Sequence, residues 1–250
     1  MALLLLWLGT GHANNDDAPL VAVASSLRHV WPHLMIKYQN PVKPRVTFGS
    51  SGNLARQITQ GAPFELLLSA DESFPAWLVE NKTTGHSPVI YTQGKLAWVA
   101  PIGSSLAKSL LKANSNEEAS LKLPDDVTRI AIANPAFAPY GRAAKAVLNS
   151  INRGKSVTLV TGENAAQTLQ FALSGASAGG IVPMALVSET AREKLPAMVV
   201  TEIQETLHEP VMHAMVLIDQ SSTATKTLFD FLLSHTAQSV FMEHGFLTVQ

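Results

Sequence analysis

The sequence predicts an α/β protein of two lobes, on three observations. Short apolar runs that read as strands alternate with amphipathic runs that read as helices, from Leu20 to Gly245. The alternation falls into two blocks with no low-complexity linker between them, so the lobes are expected to be joined by strands and not by a tether. The composition of 250 residues, 46% hydrophobic and 15% charged, suits a sizeable buried core and excludes a largely disordered chain. Strands that alternate with helices imply parallel or mixed sheets covered by helices on both faces.

Taken in order, residues 20–24 (LVAVA) form a strand that ends in Ser25-Ser26-Leu27. A helix is expected over residues 27–38, where Val30, Leu34 and Tyr38 share one face. Pro41 and Pro44 end it before a strand at 46–48. Gly49-Ser50-Ser51-Gly52 is then a tight turn, and Asn53 is placed to cap a helix carrying Leu54 and Ile58. Gly61-Ala62-Pro63 stops that helix, and the strand at 64–68 runs into Ser69-Ala70-Asp71. A short helix over 73–81 has Ser73 as its cap and Pro75 in its first turn, and strands at 89–91 and 96–100 flank Gly94.

The second block repeats this logic. A strand at 129–133 leads through Ala138-Pro139-Tyr140-Gly141 into a helix over 142–151. A strand at 157–160 leads through Gly162-Glu163-Asn164 into a helix over 165–174, with Leu169 and Leu173 on one face. A strand at 179–182, another at 211–218 and two closing helices at 224–233 and 237–244 complete the reading, with Gly245 as the final stop.

Ligands of such sheets sit beyond the carboxyl ends of strands, where helices begin. Four segments have that local form: Ser25-Ser26, Ser50-Ser51, Pro139-Tyr140-Gly141 and Asn164-Ala165. Helix N-termini carry unpaired N–H groups and a partial positive charge, which suits an anion. The Gly-Ser-Ser-Gly turn contains no Lys or Arg. A site of hydroxyls and amides offers donors and few acceptors, so it reads the shape and protonation state of an oxyanion. Each segment alone also has a plain structural reading, as a helix cap for Ser25-Ser26 and as ordinary turns for the other motifs. Asp71 reads as a structural carboxylate at a strand end or hinge. His208 and His213 read as surface or strand positions, and the eight His residues show no metal-ligand spacing.

Several function classes are disfavoured. A formal charge of −1 and sparse aromatics give no basic stripe for nucleic acid. The absence of Cys removes thiol catalysis, thiolate metal sites and disulfides. A serine hydrolase built on Ser26 or Ser51 has little support, because Gly-Ser-Ser-Gly is not the G-x-S-x-G elbow and no His–acid pair is assigned to either Ser. Residues 1–13, with ALLLLWL at 2–8 followed by small residues, read as a secretory signal segment too short to span a bilayer, with the mature chain starting near Asn14.

Four motifs carry a resemblance to a known family: VAVASSL, FGSSGNLARQITQGAPFELLLSAD, ANPAFAPYGRAAKAVL and GENAAQTLQFALSGASAGGIV, together with the closing FLLSHTAQSVFMEHGF. In order, and over nearly all the mature chain, they resemble the periplasmic molybdate-binding proteins, the substrate-binding components of molybdate ABC transporters. The resemblance implies a type II periplasmic-binding-protein fold with two α/β lobes, two crossover strands and an oxyanion in the cleft. The expected lobes are residues 19–94 with 206–250, and residues 95–205. The implied ligand is molybdate, with tungstate beside it; the alternative is another tetrahedral oxyanion such as sulfate. Ser26 falls on the family's first hydroxyl donor, with Ser25 beside it, and Ser51 on the second. Tyr140 and Ala165 fall where the family donates backbone N–H groups. These residues contact the oxyanion's oxygens, with no direct ligation of the metal. Some members carry a ligand-contacting Tyr after Gly-Ile-Val; here that residue is Pro183. The resemblance further implies a monomeric, periplasmic binding protein that is not an enzyme, needs no cofactor and delivers its ligand to a membrane permease.

Overall fold

The computed structural model describes residues 18–114, 121–151, 157–193, 195–218 and 221–249; the expected signal segment 1–13 and the mature start near Asn14 lie outside these residues. Strand β1 (Leu20–Ala24) passes into a 3-10 turn, Ser25–Leu27, and then α1 (Trp31–Lys37). The continuous helix expected over 27–38 is therefore split. Pro32 lies at the first helical positions of α1. A helix running through it from Leu27 would lose the bond to Arg28 O and clash with that carbonyl.

Strand β2 (Arg45–Gly49) leads into α2 (Ser51–Thr59), followed by β3 (Leu66–Leu68), α3 (Ser73–Glu80) and β4 (Val89–Gly94). Helix α2 starts two residues before the expected cap: Ser50 is the N-cap, and Asn53 lies in the first turn, accepting from Arg56 Nη2 at 2.8 Å. Strand β5 (Leu96–Pro101) follows β4 directly, then α4 (Ser105–Asn114), β6 (Arg129–Ala133), α5 (Pro139–Ser150), β7 (Thr158–Gly162), α6 (Ala165–Leu173), β8 (Gly180–Pro183), α7 (Glu189–Arg192) and β9 (Met198–Glu202). The chain returns through β10 (Val211–Leu217), α8 (Thr223–Leu233), α9 (His235–Glu243) and β11 (Phe246–Leu247). Helices α4 and α7 and strands β9 and β11 were not read from the sequence.

Two mixed sheets result, in the orders β11-β4-β10-β3-β1-β2 and β7-β6-β8-β5-β9. In the first, β1 pairs parallel with β2 and β3, while β10 runs antiparallel to β3 and β4. In the second, β6 pairs parallel with β7 and β8, while β5 runs antiparallel to β8 and β9. The chain crosses between sheets at Lys95, from β4 to β5, and again between β9 and β10. The Lys95–Glu202 ion pair, at 2.8 Å, ties the two crossings together.

Both sheets are buried on both faces, and strand alternation sorts their side chains. Val21 and Val23 pack with Leu34, Leu228 and Phe241 on one side of the first sheet, while Ala22 packs with Leu54, Ile58 and Leu78 on the other. In the second sheet Ile130 and Ile132 meet Leu110 and Val147, and Ala131 meets Leu169 and Ala172. No helix among the described residues is long and apolar enough to cross a membrane.

Candidate functional site

The strand-to-helix segments singled out in the sequence meet at one cavity. Ser25, Ser26, Ser50, Ser51, Tyr140 and Ala165 all line it, and its remaining walls are Ala, Gly and Pro. Helices α2, α5 and α6 begin there, none with an acidic residue in its first turn. No charged side chain and no His lines the cavity. Its polarity comes from hydroxyls and helix-start amides, a donor set that suits an anion.

The hydroxyls differ in what they already do. Ser26 is 1% exposed and Ser50 is 4% exposed, and neither Oγ has a hydrogen-bond partner among the described residues. Buried hydroxyls are ordinarily paired, so these two stand out as donors open to an acceptor. Ser51 Oγ accepts the Ala70 N–H at 2.9 Å, which leaves its own proton to donate. Ser25 is buried at the same wall.

Ser50 was not singled out as a contact from the sequence. Its backbone is that of an N-cap (φ −74°, ψ 143°), yet its side chain makes no cap bond. The Gly52 N–H that such a cap could take donates instead to Phe137 O, at 2.9 Å. The repeated Ser in Gly-Ser-Ser-Gly was the available signal, but nothing in the spacing tells which hydroxyl remains free.

The amide positions follow from local capping. Asn164 Oδ1 accepts from Ala166 N (3.0 Å) and Gln167 N (3.2 Å), leaving the Ala165 N–H, the first of α6, outside the cap. At α5, Ala138 O accepts from Gly141 N (2.9 Å) and Arg142 N (3.2 Å), and Pro139 has no N–H; the Tyr140 N–H is outside that pattern as well. Gly141 is required here, because a Cβ would strike Ala133 O at the end of β6.

The two sides of the cavity also touch directly. Besides the Gly52–Phe137 bond, Asp71 pairs with Arg142. The Arg56 guanidinium lies 4.7 Å from the Phe137 ring centroid and that of Arg142 lies 5.5 Å from Phe74. Asn53 Nδ2 donates to Glu163 Oε1 at 3.4 Å. A Cβ on Gly52 would come 3.1 Å from Phe137 Cα across the cavity and 2.6 Å from the Phe74 ring, so a side chain there would crowd this approach. Asp71 has the structural role expected of it: it also accepts from Ser69 Oγ (2.8 Å), Ser73 Oγ (2.6 Å) and Phe74 N (3.3 Å).

Pro183 lies elsewhere. It pairs with Leu96 at the end of β8, is buried, and forms no part of the cavity wall. The expectation for the histidines is corrected in one respect. His213 is on strand β10, as expected, and is wholly buried there, whereas His208 lies outside the strands and, at 9% exposure, is not the surface position expected. The first sheet is covered on both faces, so a polar residue on its strand has no solvent face to occupy. Burial pushes the His213 imidazole down to about 3, which keeps it neutral, and burial raises Tyr91 and Tyr140.

A family model described as bacterial extracellular solute-binding protein matches residues 19–247. The chain belongs to that family. It is 32% identical over 207 residues to the molybdate-binding protein ModA of Rhodobacter capsulatus, covering 80% of this chain and 76% of the relative. It is 29% identical over 240 residues to ModA of Azotobacter vinelandii, covering 94% and 87%. Among solved structures, the periplasmic molybdate-binding protein of Azotobacter vinelandii superposes with a TM-score of 0.74 at 22% identity, covering 93% of this chain and all of that one. The sulfate-binding protein SubI of Mycobacterium tuberculosis superposes with a TM-score of 0.66 at 16% identity, covering 93% and 87%. These structural likenesses establish a shared two-lobed fold. The family is one of solute-binding proteins, which agrees with a binding module in place of a hydrolase.

Proposed function

We propose that the protein captures molybdate, and tungstate with it, between two lobes and delivers the anion to the permease of an ABC transporter. The observation that carries this reading is the pair of buried, unpartnered hydroxyls, Ser26 and Ser50, in a cavity without a charged side chain. Ser26 and Ser51 donate from one lobe, with Ser25 and Ser50 beside them. The Tyr140 and Ala165 amides donate from the other. A hydrogen bond to a charged partner is worth about 1.5–3 kcal/mol. Four or more of them offset the several kcal/mol that desolvating an anion costs. No Lys or Arg is needed, because the dipoles of α2, α5 and α6 are fixed before the ligand arrives.

The lobes are residues 19–94 with 206–250, and residues 95–205; sheet membership of the strands supports this division. Donors on both sides mean that the ligand stabilises the closed form, by as much as its affinities for the two forms differ. The closed shape is then what the permease recognises. The protein works as a monomer in the periplasm, after removal of residues 1–13. ModA names among its relatives favour molybdate over sulfate. The chemistry adds a second reason against phosphate, which keeps a proton near neutral pH and meets few acceptors and no carboxylate here.

Calorimetric titration of the purified protein with molybdate, tungstate, sulfate and phosphate tests the reading. Tight binding of the first two and weak binding of the last two is expected. Sulfate or phosphate binding as tightly as molybdate would reject it.

A further inference from the structure

Tyr140 occupies two places at once. Its backbone begins α5 at the wall of the anion cavity, while its hydroxyl lies 3.0 Å from Nε2 of His213 on β10 of the other sheet. Nδ1 of the same imidazole is 3.2 Å from the Tyr91 hydroxyl, which donates to Ser69 O at 3.4 Å. One direction of donation satisfies all three groups: Tyr140 O–H to Nε2, Nδ1–H to Tyr91 Oη, and Tyr91 O–H to Ser69 O. It requires a neutral imidazole, and none of the three side chains is more than 3% exposed.

The surroundings are shaped to receive the Tyr140 ring. The β4–β10 ladder shifts register between His213 and Ala214, and such irregularities re-aim a strand side chain. A methyl group on Gly94, the last residue of β4 before the crossing, would fall on the Tyr140 hydroxyl, so a glycine leaves the slot open. The His213 ring stands edge-on to Tyr140, Tyr91 and Phe246, with centroids 5.7, 5.8 and 5.4 Å away. The slot is therefore made by both crossing segments, and it holds a residue whose main chain belongs to the opposite lobe.

We propose that His213 is a positioning residue for the anion cavity: from β10, just after the return crossing, it holds the Tyr140 hydroxyl, and through that ring it sets the first turn of α5 against the ligand. The proposal rests on the oxyanion reading of the cavity. It assigns His213, which does not itself line the cavity, a share in ligand affinity.

The test is a double-mutant cycle on molybdate affinity with Tyr140→Phe and His213→Leu, plus His213→Gln, whose amide oxygen can accept from Tyr140 near the position of Nε2. All measurements are made where the empty variants are fully folded by circular dichroism. Tyr140→Phe keeps the ring and the backbone N–H and is expected to weaken molybdate binding about tenfold, the scale of one buried hydrogen bond. His213→Leu should weaken it by a similar factor, the double variant should be no weaker than either single one, and His213→Gln should bind within about threefold of wild type. A purely structural role would lower melting temperatures and leave the affinities alone. Wild-type affinity in Tyr140→Phe, or additive losses in the double variant, would overturn the proposal even if His213→Leu fails to fold. A wild-type protein that binds no molybdate would overturn the oxyanion reading and this proposal together.

Discussion

Replacing Ser26 by Ala should move stability and binding in opposite directions. Ser26 Oγ is buried at 1% residue exposure with no partner among the described residues, so it makes no hydrogen bond that holds the empty fold. An unsatisfied buried hydroxyl costs about 1–3 kcal/mol where water cannot reach it. Removing it leaves the empty protein as stable as wild type, or more so. One kcal/mol corresponds to about 2–4 °C for a chain of this size, so the melting temperature should hold or rise by a few degrees. Molybdate binding should fall by about 1.5–3 kcal/mol, roughly ten- to a hundredfold, because a donor to a charged ligand is lost. Ser51→Ala provides the contrast. It loses a similar amount of affinity, but it also strips the Ala70 N–H of its acceptor, so the empty protein should melt lower. Calorimetry and thermal unfolding of both variants, empty and loaded, measure all four quantities. A Ser26→Ala protein that melts lower than wild type yet binds molybdate equally well would refute the reasoning, since Ser26 would then be a structural hydroxyl.

Other outcomes follow from the same geometry. Ala165→Pro removes the first N–H of α6 at a position that accepts Pro, after an extended Asn164; it should keep the fold and lose about tenfold or more in molybdate affinity, whereas Ala165→Ser should stay within about threefold, both read by titration. Asp71→Asn weakens a partly exposed pair, expected to be worth about 1 kcal/mol, so affinity should drop no more than about fivefold while scattering detects a larger open fraction; an unchanged open fraction would remove Asp71 from closure. His213 is held near 3 when folded against an ordinary 6.5, so the unfolded chain binds more protons between these values. That contribution to stability is complete above pH 6.5 and is lost as pH falls toward 3, at about 1.4 kcal/mol per pH unit. Denaturant titrations should accordingly show a shallower acid loss for His213→Gln than for wild type, and parallel curves would contradict the assignment. Molybdate at a hundred times its dissociation constant should add about 2.7 kcal/mol, raise the melting temperature by roughly 5–10 °C and compact the protein in scattering.

Much of the fold was legible because its signals are local. The runs LVAVA and RIAIA have the apolar continuity of strands buried on both faces, and Gly245 ends the last helix with a φ of +84°. Local errors have local causes. Pro32 restarted a helix that periodicity alone would extend, and strand pairing at Gly49 allowed α2 to begin at Ser51, ahead of the best capping residue. Strand β11 is two residues long and is a strand only because Phe246 and Leu247 meet Gly94 and Gln93.

By itself the sequence determined the four strand-to-helix junctions, since small residues, hydroxyls and prolines at a strand end dictate a helix start with free N–H groups. It therefore marked Ser25-Ser26, Ser50-Ser51, Pro139-Tyr140-Gly141 and Asn164-Ala165, and the resemblance to the molybdate-binding family picked Ser26, Ser51, Tyr140 and Ala165 among them. Only the tertiary structure decided which hydroxyls there are without a partner. Ser50 and Ser51 are adjacent and chemically identical, yet Ser51 is engaged by the Ala70 N–H while Ser50 is left over. The depth of His213 and its hold on Tyr140, 73 residues away, are likewise tertiary. Hydrogen bonds over such separations depend on how two sheets pack and cross, and no pattern along the chain encodes that distance.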